Sequence, residues 1–345
     1  MKKKMRGIVA LCVALTMGVG SSALLAQKAD PKKEVKRSKA EQIDFDTLVN
    51  VVDTAVAGRG APPASGVSVT WDSNHFFRAP DGSTYVPFTL TVDKSQLAAP
   101  NSAVYLAVFD KAAAPAASAA PPKNSKDKPA GPPPAFEKFD FTTIGADGKL
   151  ARYLQVKPGD YDVYVAIKDK GTVEKVDKNY TPRVGLLKKD LSVPDYNKAD
   201  LVTSSVLLSS GIGPAAAGKS PDDDPYIFGQ MQITPSKDGK YKKTDTLSVV
   251  YWVYGATGDA AGKPDLTVEN SFNQKTPEGE KFFNKTQPQA VNAESPYTVS
   301  MGIPNFLEVP LTSFAPGDYR LEIKITDKPS GKTITQNLNF SVAAS

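Results

Sequence analysis

The tetrapeptide Pro-Gly-Asp-Tyr occurs twice, at residues 158–161 and 316–319, and each copy opens an alternating segment that closes on Asp-Lys. Aligned, residues 158–170 and 316–328 also share Ile167 with Ile325, Asp169 with Asp327 and Lys170 with Lys328. This is one supersecondary unit used twice. A Pro-Gly pair suits the centre of a type II turn, and a Tyr heading the next strand can return its hydroxyl to the turn backbone. Such a unit builds the corner of a β-sandwich, so the chain is expected to be all-β, with two sandwich domains in tandem. The unit fixes architecture and contains no chemistry.

The first residues combine Lys2, Lys3, Lys4 and Arg6 with an apolar run over 7–20 and small residues at 21–23. A basic head, a short apolar stretch and a small-residue exit describe a bacterial export signal, expected over residues 1–26 and too short to anchor as a spanning helix. Cys12 follows Leu11, where a lipoprotein cleavage site would need Gly, Ala or Ser, so lipid anchoring is not expected. Removing the signal's four basic residues from the 42 Lys and Arg leaves 38, against 37 Asp and Glu. The basicity thus belongs to the signal and does not point to nucleic acid. The processed chain has no cysteine, which excludes disulfides and thiolate metal sites. It is expected to be extracytoplasmic, periplasmic or secreted, with no stable membrane span.

Residues 27–42 are rich in Lys and Glu and read as a charged tether. A short amphipathic helix follows within 43–60. Leu48, Val51, Val52, Ala55 and Val56 recur at helical spacing from about Asp46, the expected N-cap, to Ala57, with Gly58 as the stop. Its apolar face is expected to pack on the adjacent sandwich.

The first sandwich is expected over 64–200, with strands at 67–71, 85–92, 103–109, 136–142, 151–156, 161–168 and 186–193. Asp81-Gly82 and Asp147-Gly148 mark hairpin turns between them. Residues 111–135, almost all Ala, Pro, Lys and Ser, have nothing to bury and read as a disordered insertion. The second sandwich is expected over 201–345, with strands at 201–208, 226–234, 246–254, 265–273, 282–286, 297–303, 307–311, 319–326 and 333–342. Both alternating sets are apolar from Leu247 to Tyr254, which marks a central strand buried on both faces and places Trp252 in the core. Residues 328–332 have the composition of a hairpin turn.

Gly213-Pro-Ala-Ala-Ala-Gly218-Lys219-Ser220 matches the phosphate-loop expression, yet Pro221 and Pro225 forbid the helix whose amides would face the phosphates. Asp222, Asp223 and Asp224 offer hard oxygen ligands, with Asp222 and Asp224 the better pair for calcium, but a solvated acidic loop is the preferred reading. His75 is the only histidine, so no histidine metal centre can be assembled, and it is read as structural. Asp160, Asp318, Asp169 and Asp327 recur with the fold repeat and are read as turn and hairpin residues rather than paired catalytic acids. Tyr226, Phe228, Phe282 and Phe283 could line a sugar-binding face, against the commoner role of aromatic rings in a core. No catalytic, cofactor or metal residue is assigned.

Residues 311–342, with Pro316-Gly-Asp-Tyr-Arg-Leu-Glu-Ile-Lys-Ile-Thr-Asp-Lys, Ser330-Gly-Lys-Thr and Asn339-Phe-Ser-Val, resemble the last strands of immunoglobulin-like or fibronectin type III-like sandwiches. Similar segments occur in exported, uncharacterised acidobacterial proteins carrying von Willebrand A or GWxTD regions. Neither an Asp-x-Ser-x-Ser motif nor a Gly-Trp-x-Thr-Asp segment occurs here, so the resemblance implies fold and exported context and assigns no functional residue. The expected function is a non-enzymatic interaction or scaffold protein of the cell envelope or extracellular space, with a protein or glycan partner reached through end loops or strand edges. A carbohydrate-binding module and an unrecognised hydrolase are the alternatives.

Overall fold

A computed structural model describes residues 37–58, 66–97, 101–113, 133–170, 183–198 and 200–343. The expected export signal, most of the expected tether and residues 114–132 of the expected insertion lie outside them. The chain divides into two compact units between Asp195 and Tyr196, and Tyr196 packs its ring on Tyr254 at 4.9 Å.

The only helix longer than one turn among the described residues, α1, runs Lys39–Val56 and starts well before Asp46. Ser38 is the N-cap: its side chain accepts from the Glu41 N–H while the Glu41 carboxylate accepts from the Ser38 N–H. This reciprocal box satisfies two end donors and pulls the helix into the expected tether. Gly58, at φ 64°, ends it as expected.

In the first unit β1 (Val69–Asn74), β2 (Phe77–Arg78), β3 (Thr84–Val92) and β6 (Lys149–Val156) form one sheet. β5 (Phe136–Thr143), β4 (Asn101–Asp110), β7 (Gly159–Asp169) and β8 (Val184–Val193) form the other, in that order. The first strand is broken into β1 and β2 for a reason on its neighbour. The Pro87 carbonyl accepts the His75 N–H at 2.9 Å, but proline has no N–H to return, so the ladder lapses there. Asp81-Gly82 turns a hairpin between β2 and β3, whereas Asp147-Gly148 carries the chain from one sheet to the other and is not a hairpin.

In the second unit β9 (Val202–Thr203) and β10 (Leu207–Pro214) both pair β14 (Thr246–Tyr254). One strand was expected there, over 201–208. Ser204 splits it, because its hydroxyl takes the Trp252 N–H at 2.9 Å in place of a ladder carbonyl. The expected strand over 226–234 is a hairpin of β11 (Ile227–Phe228) and β12 (Met231–Pro235). With β18 (Ile303–Pro310) these complete the first sheet. The second contains β13 (Lys240–Lys242), β15 (Leu266–Thr276), β16 (Gly279–Lys285), β17 (Gln289–Val291), β19 (Gly317–Asp327) and β20 (Thr333–Ala343). β13 pairs β20 in parallel, and residues 328–332 turn the β19–β20 hairpin.

Both units therefore share one plan, an immunoglobulin-like sandwich. The strand sets β1/β3/β6 and β10/β14/β18 face β5/β4/β7/β8 and β16/β15/β19/β20, and each Pro-Gly-Asp-Tyr heads the same strand, β7 or β19. Tyr161 and Tyr319 are buried, and their hydroxyls donate to Lys157 O and Ala315 O, each at 2.8 Å. Gly159 and Gly317, at φ 155° and 147°, do not make the expected type II turn, which needs φ near +80°. They lie in mirror-extended backbone that favours glycine.

Each sandwich has its own core. Val86, Phe88, Leu106, Leu154 and Val165 are among those closing the first, and Leu247, Tyr251, Phe314, Tyr319 and Leu321 among those closing the second. β14 is buried almost throughout, as expected of a central strand, but Trp252 is half-buried and on the face away from that core. Its ring lies against Phe228 at 5.3 Å.

Candidate interaction surface

The phosphate-loop match does not form a phosphate cradle. Gly213 and Pro214 finish β10 in register with Gln232 and Met231, and the chain turns on toward β11 without a helix. The Lys219 ammonium donates to Asp223 at 2.9 Å, while the Ser220 N–H and hydroxyl donate to the other oxygen of the same carboxylate. Asp223 thus fills the loop from within, and Lys219 holds its pKa below the usual carboxylate value. Asp224 faces away from it, accepting from the Tyr226 N–H and the Gln232 side chain. Both Asp224 oxygens are taken by N–H donors, which separates the pair considered for calcium. Among the described residues no three His, Cys, Asp or Glu side chains converge as metal ligands.

The recurring aspartates lie in the strands and hairpin of the fold repeat. Asp160 accepts from Ser192, and Asp327, buried, accepts from the Thr257 N–H at 3.1 Å and from Ser330 of its own hairpin. Asp169 and Asp318 lie in the ladders opposite Ser102 and Ser341. His75 is half-buried at the β1–β2 break. The four candidate sugar-facing rings do not share a face. Tyr226 is buried, Phe283 turns inward onto Phe314 at 4.7 Å, Phe228 covers Trp252, and Phe282 projects from β16 in the other sheet.

What sequence reasoning missed is the end of the second sandwich where β14, β19 and the start of β18 meet. Three connections converge there: 255–265, 292–302 and 328–332. Gly258 bridges Pro264, and Asp259 accepts from the Ala261 and Lys263 N–H groups, each at 2.8 Å. The Val299 N–H reaches Gly262 O at 3.0 Å, and the Lys263 ammonium reaches Ser295 O at 2.7 Å. Lys328 donates through its backbone to Asp265 O and through its ammonium to the Asp265 carboxylate. A Cβ on Gly258 would lie 3.0 Å from both Val299 and Gly262, close enough that a larger residue there would push these neighbours apart by a few tenths of an ångström. Residues 297–302, expected to be strand, are turns because their polar groups bond to one another and to the neighbouring loop rather than to a ladder.

The braced loops present apolar side chains to solvent. Of four exposed large hydrophobic residues among those described, three lie on one short segment: Tyr297 (38%), Met301 (66%) and Phe306 (41%); the fourth is Phe282 (63%). Register carries the segment onto the outer sheet face, where Pro304 lies opposite Trp252 and Phe306 opposite Val250. Tyr and Met are enriched at protein interfaces. The sequence held a trace of this in the apolar letters of 297–306, which read equally well as a strand.

The corresponding end of the first sandwich has a shallow depression of about 370 Å³ lined by Ser68, Thr70, Thr91, Asp93, Lys94 and Asp147, among others. Several of its groups already bond to one another or to the rim. Lys94 donates to Ala146 O at 2.5 Å, and Thr91 and Lys149 both donate to Asp72. Several of the sheet edges are blunted. Pro304 and Pro310 remove donors from β18, the Arg152–Asp140 pair at 3.1 Å lies at the facing edges of β6 and β5, and Lys188, Lys189 and Asp190 charge β8. Among the described residues, no helix is long and apolar enough to cross a membrane.

No protein-family profile matches the chain, and no curated protein matches it. Solved structures similar to it include an immunoglobulin-like protein from Pseudomonas aeruginosa, 13% identical with a TM-score of 0.21, covering 40% of this chain and 96% of that one. They also include a Salmonella alpha-2-macroglobulin reacted with methylamine (12% identity, TM-score 0.21), where 82% of this chain spans 17% of the other. A red sea bream transglutaminase gives 7% identity and a TM-score of 0.21, with 85% of this chain spanning 33% of the enzyme. Likenesses this weak transfer no residue and no activity; the immunoglobulin-like architecture rests on the strand order and the two tyrosine corners.

Proposed function

We propose that the chain is an exported, non-enzymatic interaction or scaffold protein of the bacterial cell envelope or extracellular space. It binds a protein partner through the loop end of the second sandwich and the adjoining segment 297–306. The observation that carries this reading is the pairing of rigidity with exposure: hydrogen-bonded loops that present Tyr297 and Met301, continuous with Phe306. Loops held in advance lose little entropy on binding, and aromatic and Met side chains are enriched in such interfaces. The blunting of β5, β6, β8 and β18 argues against strand addition at those edges. The basic, then apolar, then small residues of 1–26 support export. At the finer level, the three-plus-four order of the shared strands supports a fibronectin type III-like sandwich, and the resemblance of residues 311–342 supports kinship with exported acidobacterial proteins.

The test is affinity capture from envelope and culture-fluid fractions of the source organism, using the parent chain and a Tyr297→Ala/Met301→Ala/Phe306→Ser variant. Thermal unfolding should be unchanged by these exposed substitutions. A specific protein captured by the parent and lost with the variant is the expected result. Equal capture by both chains, or retention of a glycan in place of a protein, would overturn the assignment and favour the carbohydrate-binding alternative in the second case.

A further inference from the structure

We propose that α1 is a releasable strap over a separate recognition face of the first sandwich, and that the buried Asp44–Lys168 ion pair is its latch. Among the described residues of this unit there are two apolar clusters, and they share no side chain. One fills the space between the sheets; the other lies on the outer face of the β5–β4–β7–β8 sheet, under α1. The helix adds no strand to either sheet. It can therefore leave without breaking a ladder or opening the intersheet core.

The site under the helix has a definite shape and chemistry. Ala103, Ala107 and Ala166 leave room for the helix to sit close, between the larger Tyr105 and Tyr164. α1 brings Asp44, Leu48 and Val52 to it, one stripe at i, i+4 and i+8, and all three are buried. Lys168, also buried, donates to Asp44. Every other ion pair among the described residues is more open to water. Once α1 lifts, an apolar trough remains with the buried Lys168 ammonium within it and, more open to water, Lys170, which pairs with Glu41 of α1 at 3.7 Å and lies over the Phe141 ring. The occupant that fits is an amphipathic helix carrying a carboxylate one turn ahead of a branched aliphatic residue.

The latch follows from an asymmetry of buried ion pairs. Intact, such a pair holds little better than apolar side chains of the same size; with one partner gone, the other is left as an uncompensated buried charge. A competing carboxylate therefore acts where the strap is most sensitive. The Ser38–Glu41 capping box lets the released segment keep helical order at its first turn.

Hydrogen exchange of the full chain in mild denaturant tests this. The α1 amides should exchange through an opening of their own, at lower denaturant than those of β3, β4 and β7. Asp44→Asn should speed α1 exchange by about a hundredfold or more while the strand amides keep their protection. Asp44→Leu with Lys168→Met should restore it. A synthetic peptide of residues 37–58 should bind the Asp44→Asn chain, and the same peptide with Asp44→Asn should not. The proposal is overturned if α1 and the strands of the parent exchange in one common opening, if Asp44→Asn leaves α1 exchange unchanged, or if the peptide fails to bind.

Discussion

His75 is the one histidine, so its titration can be followed without ambiguity. Burial pushes its pKa down from 6.5 to about 4. The folded chain keeps the ring neutral over a range in which the unfolded chain takes up a proton. Stability from this group is therefore complete above about pH 6.5 and declines as pH falls toward 4, with a slope of up to about 1.4 kcal/mol per unit. A His75→Gln variant should flatten that part of the pH–stability curve, and the imidazole resonance of the parent should titrate near 4; a midpoint near 6.5 would contradict the burial argument. The histidine's place at a strand edge near the core was legible in the sequence, because its neighbours Phe76 and Phe77 are core letters. Its cause was not: the strand break depends on Pro87, a residue on the facing strand. The tyrosine corners were legible because the tetrapeptide recurs. Asp44 was not, since a carboxylate on an amphipathic helix reads as solvent-facing and nothing local reveals that Lys168 waits beneath it.

At the scale of elements, long strands were legible and short ones were not. β3, β4, β7, β14, β19 and β20 announce themselves by alternation or by continuous apolar runs, whereas β2, β13 and β17 exist because a neighbour offers a ladder. The reverse error at 297–302 has the same origin, since alternation there met no partner strand. Helix α1 shows how end chemistry overrides periodicity. Its apolar stripe begins late, yet the Ser38–Glu41 box starts the helix at Lys39. Ser38→Ala should remove that cap at a cost of about 1 kcal/mol, with Glu41→Ala additional only in part because the two bonds form one unit. Exchange protection in the first turn should fall while that of the strands holds. Unchanged protection would mean that docking on the sheet, rather than the cap, sets where the helix starts.

For the whole molecule the repeat makes a stronger demand than for either corner. Two compact units with separate cores imply two unfolding events, each answering to its own tyrosine. Tyr161→Phe and Tyr319→Phe delete one hydrogen bond apiece and should cost about 0.5–1.5 kcal/mol, while the alanine variants should cost about 3–5 kcal/mol through the cavity they leave. The two sites differ in surroundings. Tyr319 is stacked with Phe340 at 5.4 Å and meets Phe314 at 5.1 Å, so its removal unsettles an aromatic cluster, and the larger loss should fall there. In calorimetry, Tyr161→Ala should lower one transition and leave the other in place, and Tyr319→Ala should do the reverse. If either substitution moved both transitions together, the units would unfold as one cooperative body and the two cores would not be energetically separate. If neither moved, the Pro-Gly-Asp-Tyr segments would be turn chemistry alone, and the shared strand order would owe nothing to them.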